Sequence, residues 1–284
     1  MATILKADDK DLGGFTVSRV LPHHDKKMVG PFIFFDHIGP ADFPAGEGIN
    51  VRPHPHIGLA TVTYLFQGSI LHRDSLGSVQ EIFPGDVNWM IAGKGIVHSE
   101  RETHEVRAQA HPLHGLQLWV ALPPEQETVE PDFEHVNKSL LPTINRPGLM
   151  MRLIVGEAYD RSSPVRTFSP MFYLDVLAQP GAELEHPNPE HEAAIFVESG
   201  RIRIGEAEFV AGDFVLLDAD DQSFESLEHS RLMLLGGEKF NRVPHIHWNF
   251  VAYERSTLDA ARKRWDNGEF APVPGDDKEF IPLP

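Results

Sequence analysis

Between His54 and Glu100 the chain is a succession of short β-prone segments cut by glycine turns, and this stretch most narrows what the chain can fold into. Thr61-Val62-Thr63-Tyr64-Leu65-Phe66 is rich in β-branched and aromatic residues that suit a pleated surface. Gln67-Gly68-Ser69, Pro84-Gly85-Asp86 and Ala92-Gly93-Lys94-Gly95 then punctuate the run, so the stretch reads as β-hairpins. It opens with His54-Pro55-His56 and closes with His98-Ser99-Glu100. Residues two apart on a strand share a face. If the two ends meet with those faces inward, His54, His56, His98 and Glu100 converge as three imidazoles and one carboxylate. Such a donor set suits a divalent transition ion. The competing reading is that 16 histidines make a chance His-x-His unremarkable and that Pro55 marks a turn.

Composition bounds the rest. The chain has 284 residues, enough for one large or two medium domains, and 41% of them are hydrophobic, which supports a buried core. Lys plus Arg number 25 against 42 Asp plus Glu, a net charge of -17. Such a surface repels phosphate backbones and anionic lipids, so direct nucleic-acid binding and membrane association are not expected. With no cysteine, disulfides, thiolate nucleophiles and sulfur-ligated metals are excluded, leaving nitrogen and oxygen donors. The first ten residues are polar and no apolar run approaches the roughly 18 residues of a membrane span, which predicts a cytoplasmic protein.

Along the chain, residues 13 to 22 alternate as a half-buried strand and Phe32-Ile33-Phe34-Phe35 reads as a strand buried on both faces. His37 and His72 are read as hydrogen-bonded structural histidines, the latter anchoring the turn Asp74-Ser75-Leu76-Gly77. Gln117 sits on a strand over Gly115–Leu122 that can present an amide to a ligand, and Pro123-Pro124 ends the first barrel. After a proline-rich linker the strand-and-turn rhythm repeats. Gly212-Asp213 stands where Gly85-Asp86 stands, and Glu198-Ser199-Gly200 echoes Phe66-Gln67-Gly68, an internal duplication. The repeat is chemically lopsided. His186 and His191 are five apart, and Ser223-Phe224-Glu225-Ser226 replaces the second ligand pair, which predicts a metal-free second barrel. His245-Ile246-His247 is read as structural. A helix capped by Ser256 is expected to run to Trp265 and stop at Asn267-Gly268, followed by a loosely held tail.

Several segments, in order, resemble the pirin family: Gly30-Pro31-Phe32, Phe35-Asp36-His37, His54-Pro55-His56-Ile57-Gly58, His72-Arg73-Asp74-Ser75-Leu76-Gly77, Pro84-Gly85-Asp86-Val87, Ala92 through Glu100, and His114 through Val120. The resemblance is close over residues 13 to 124 and holds in outline beyond. It implies an all-β fold of the cupin superfamily: two tandem jelly-roll barrels with a short C-terminal helix. The expected division is a metal-binding barrel over 1–135 and a metal-free barrel with helix and tail over 136–284. The family's ligands fall on His54, His56, His98 and Glu100, holding one ion, most often Fe(2+), with Mn, Co, Ni, Cu or Zn as substitutes. One departure is Ala60, within Gly58-Leu59-Ala60-Thr61, where pirins usually carry Glu in a Gly-Phe-Glu-Thr run.

The resemblance also implies chemistry. Pirins resemble quercetin 2,3-dioxygenases, so a flavonol-like small molecule and O2 are the expected partners, with Glu100 also taking the substrate's hydroxyl proton. The alternative is a regulatory protein whose metal state governs binding to a transcription regulator or metabolic enzyme.

Overall fold

The computed structural model describes residues 2–11, 15–221 and 223–284. Gly13 and Gly14, at the head of the strand expected from 13, lie outside the described residues; the strand itself runs Thr16–Leu21. The chain is mostly β and forms two compact units.

The first unit comprises Asp9–Arg19, Phe34–Asn137 and Arg242–Pro284. Its four-stranded sheet runs in the order Val51–His56, Ile96–Arg101, Ile70–Asp74, Val79–Ile82, all antiparallel. A seven-stranded sheet orders Asp132–Val136, Val87–Ile91, Leu59–Gln67, His111–Ala121, Phe32–Phe43, Thr16–Leu21 and Asp8–Asp11. Leu59–Gln67 is buried along nearly its whole length, as its continuous β-branched and aromatic run requires. Val17, Ile38, Leu65, Ile70, Ile82 and Leu113 form an apolar core.

The second unit comprises Met1–Asp8, Val20–Ile33 and Lys138–Asn241. Its four-stranded sheet runs Glu183–Glu185, Ser223–Ser226, Arg201–Ile204, Ala207–Val210, the same order as the first unit's equivalents. The duplication read from the turn pairs is therefore a duplication of topology. Gly85 and Gly212 have φ of 87° and 92°, a conformation glycine adopts without strain, at matching turns.

The units are interleaved in sequence, which differs from the linear division expected at 135/136. Residues Arg242–Pro284 belong to the first unit because the helix Arg255–Asp266 buries Leu258 and Ala261 in a cluster with Ile57, Val97, Phe250 and Phe270. Conversely Thr3–Leu5 pairs with Phe214–Leu216 in the second unit. The helix starts at Arg255, with Glu254 at its N-cap and no side-chain cap, so Ser256 lies inside the first turn and does not cap it. Its stop is as expected: Asn267 is the C-cap and Gly268 follows at φ 67°. The tail is tied by the Arg101 guanidinium to Asp276 (2.6 and 2.8 Å) and Glu279 (2.9 Å), and the Ile281 amide donates to the Pro53 carbonyl at 2.8 Å. No helix among the described residues is long and apolar enough to cross a membrane.

Candidate metal centre

Antiparallel pairing of Val51–His56 with Ile96–Arg101 sets His98 directly opposite His54 and Ile96 opposite His56. His54, His56 and His98 are buried, and one ring nitrogen from each lies within 4.8 Å of those of the other two. Their ring centroids are 4.4 to 5.0 Å apart. Two strands with period-2 alternation thus bring together residues 42 or more positions apart.

Glu100 is placed differently. Glu100 pairs with Val51, and the register shift between His98 and Glu100 puts one extra residue on the Val51–His56 strand. Glu100 lines the same cavity but is outside the tight three-histidine cluster. Burial pushes its carboxyl up to about 7, against a hydrogen bond from the Thr63 side chain that lowers it. The Thr63 hydroxyl also lies 2.8 Å from Gln117 Oε1, so Gln117 reaches the cavity as part of a polar trio.

Burial depresses all three imidazoles: His54 falls to about 4, and His56 and His98 lie well below the usual histidine value. Neutral rings keep one lone pair each, the form that binds metal. His54 Nδ1 is 2.8 Å from the Arg52 carbonyl, which only accepts, so Nδ1 carries the proton and Nε2 carries the lone pair. His56 bonds to the Asn249 main chain, and its Nδ1 is buried with no hydrogen-bond partner; His98 Nε2 is likewise buried and unpartnered. Buried polar atoms left without partners are rare and call for an occupant. A metal ion fits this donor set.

The cavity holds about 380 Å³, within the range of small-molecule sites. One wall is aromatic: Trp119 stacks on Phe34 at 3.9 Å and meets His56 edge-on at 5.1 Å. The Arg19 guanidinium lies 4.4 Å over Phe34 and pairs bidentately with Asp36 at 2.7 and 2.8 Å. Trp248, Asn249 and Ile281 also line it, contributed from more than 100 residues downstream. Sequence reasoning missed Arg19, Thr63, Trp248 and Asn249, since no local pattern marks a residue that arrives by tertiary docking.

The remaining histidines fall elsewhere. His37 Nε2 lies 2.8 Å from His114 Nε2, the structural pairing expected of it. His186 Nδ1 accepts from the Asn188 amide, and His191 Nε2 lies 3.2 Å from the Asn188 side chain, so both are held within their own turn. His245–His247 forms a two-stranded ribbon with Phe250–Ala252. His72 stays outside the three-histidine cluster but touches His98, with 3.4 Å between their Nδ1 atoms.

Comparison with known proteins agrees with this architecture. The Pirin family model matches residues 14–120 and the Pirin C-terminal cupin domain model matches 173–271. A pirin-like protein from Caulobacter vibrioides is 44% identical over 99% of this chain and 98% of its own length. Human pirin is 32% identical over 91% of this chain and 89% of its own. The crystal structure of a quercetin 2,3-dioxygenase from Acinetobacter baumannii is 35% identical, covers 100% of this chain and 95% of that one, and gives a TM-score of 0.91. With both barrels matched and likeness running nearly end to end, the chain is a member of the pirin family, a two-cupin protein.

Proposed function

We propose that this chain is an iron-dependent dioxygenase that cleaves flavonols such as quercetin, with His54, His56, His98 and Glu100 holding one Fe(2+). The observation that carries the metal reading is the pair of buried, unpartnered nitrogens on His56 and His98 beside the outward-bonded ring of His54. Support for the substrate class comes from the likeness to the Acinetobacter baumannii quercetin 2,3-dioxygenase and from the aromatic wall beside the histidines. When bound, the ion supplies Lewis acidity and a place for dioxygen chemistry.

The chain's own residues do the rest. Trp119, backed by Phe34, gives the cavity an aromatic wall for a planar aromatic ligand. Glu100 is a carboxylate that lines the cavity, and it takes the proton of a flavonol hydroxyl on its carboxylate oxygen. Thr63 steadies that carboxylate, but its hydroxyl has one proton to share between Glu100 and Gln117.

The test is anaerobic loading with Fe(2+) followed by oxygen uptake with and without quercetin. Uptake that depends on both metal and flavonol is expected. Uptake that persists in metal-free His56→Ala would refute the mechanism. A fully metallated protein that consumes no oxygen with any flavonol would turn the assignment to the metal-dependent regulatory role.

A further inference from the structure

Three imidazoles face one point, and each must present a lone pair there. In two of them the opposite nitrogen is held by a main-chain group, Arg52 for His54 and Asn249 for His56. His98 is different: its opposite nitrogen, Nδ1, faces a second side chain, His72 Nδ1, at 3.4 Å. Between two like nitrogens the direction of the hydrogen bond is not given by the pair itself.

Asp74 supplies the direction. It is fully buried, and its Oδ1 accepts from the Leu76 and Ser78 amides at 2.9 and 3.0 Å. Its Oδ2 lies 2.9 Å from His72 Nε2. A carboxylate so placed only accepts, so His72 carries its proton on Nε2 and has a lone pair on Nδ1. His98 must then donate from Nδ1, which leaves the Nε2 lone pair aimed at the cluster, where that atom has no other partner. Phe133 stacks on the His72 ring at 4.2 Å and 12°, fixing its plane. Pairing of Ile96–Arg101 with Ile70–Asp74 sets Asp74 opposite His98 and His72 opposite Glu100, so the relay is built into the sheet register.

We propose that Asp74 and His72 are positioning residues that fix the tautomer of His98 and thereby set the metal affinity of the centre. The proposal rests on the metal site argued above. Outer partners of ligating histidines typically change metal affinity by roughly 10–100-fold when removed.

Asp74→Asn is the sharpest probe. Its amide oxygen can keep the Leu76 and Ser78 bonds, while its NH2 turns toward His72 Nε2. Two donors then face each other unless the His72 proton moves to Nδ1 and drives the His98 proton onto Nε2, into the metal position. His72→Phe removes the acceptor and keeps the stacking on Phe133. His72→Asn restores an acceptor oxygen near the original Nδ1.

The experiment titrates the metal-free full chain and each variant with Co(2+), reading affinity by chelator competition and ligand environment by the visible absorption bands. Thermal unfolding of the metal-free forms checks that each variant folds. The expected result is one tight Co(2+) in the parent protein and roughly 10–100-fold weaker binding with shifted bands in Asp74→Asn and His72→Phe. His72→Asn should lie near the parent. Parent-like affinity and bands in Asp74→Asn and His72→Phe would overturn the relay while leaving the metal site standing. Equal weakening in His72→Asn and His72→Phe would overturn the tautomer argument. A parent protein that binds no Co(2+) would overturn the metal site itself, and the relay with it.

Discussion

Across the four-stranded sheet of the first unit, His98 faces His54 and Asp74, and Glu100 faces His72. In the second unit the corresponding register sets Phe224 opposite Leu184 and Ser226 opposite Ile202. Phe224, Leu184, Ile202 and Ile204 all belong to one hydrocarbon core. The same strand order therefore carries a polar, ligand-competent interior in one unit and an apolar one in the other. The second unit shows that this frame closes well on hydrocarbon alone. The histidines of the first are thus a cost to the metal-free fold, because each buried polar atom left unpartnered costs about 1–3 kcal/mol. An ion that bonds them would return that stability to the loaded protein.

The largest expected effect breaks the comparison at its centre. His56→Ala should lose most of the bound metal, measured as ions per chain by elemental analysis, whereas His186→Ala should leave the content unchanged. Equal losses from the two would mean that both units bind.

Next in size is the mirror change in the hydrocarbon interior. Phe224→Ala should cost about 3–5 kcal/mol in urea unfolding, the usual penalty for emptying a buried phenyl site, with no change in metal content. A loss below 1 kcal/mol would show that the second interior is loosely packed.

The pH dependence of the metal-free protein sharpens the contrast further. His54, His56 and His98 have folded pKa values below their unfolded value near 6.5, with His54 at about 4. The unfolded chain therefore takes up protons first. Stability should be full above that value and fall as pH drops from 6.5 toward 4, by at most about 1.4 kcal/mol per pH unit per group. Glu100 has the opposite sign. Its pKa rises from 4.5 unfolded to about 7 folded, so its contribution is present below 4.5 and is lost as pH climbs through 7. Glu100→Gln should remove that alkaline loss in urea melts at pH 5 and 8; an unchanged profile would show that Glu100 ionises freely.

The smallest effect lies on the outer face. Arg203 sits opposite Glu225, and the pair is largely exposed with N–O contact at 3.1 Å. Arg203→Ala should change unfolding stability by less than about 1 kcal/mol, as exposed ion pairs do. A larger shift would mean that this face is not simply solvated.

Much of the centre was legible because strand alternation is a strict rule. His54-x-His56 and His98-x-Glu100 declare their shared faces in three letters each, and glycine turns announce that the two strands return. Phe224 and Ser226 are read in the same frame as His98 and Glu100, and Phe224 joins the second unit's apolar core. That Glu100 stands outside the three-histidine cluster was not legible, because alternation gives a residue's face but not its distance from side chains on the neighbouring strand. Nor was the role of His72. As a turn residue it is unremarkable, and its contact with His98 arises only from the pairing of Ile70–Asp74 with Ile96–Arg101. Trp248, Asn249 and Ile281 reach the cavity through the packing of the C-terminal segment, which strand periodicity near residue 54 cannot foretell.

The interleaving of the two units has a consequence for the order in which a ribosome can finish them. Domains generally fold as units as the chain emerges. Every residue of the second unit has been made once Asn241 is added, although the unit that carries the three-histidine cluster supplies most of the sequence before residue 138. That unit must wait for Trp248, the helix Arg255–Asp266 and the Ile281 amide that grips Pro53, next to His54. The unit that supplies most of residues 9–137 is thus completed last, and its histidines await the C-terminal segment during the final seconds of synthesis. A released chain truncated after residue 241 should resist protease across 138–241 while remaining cleavable around 54–100.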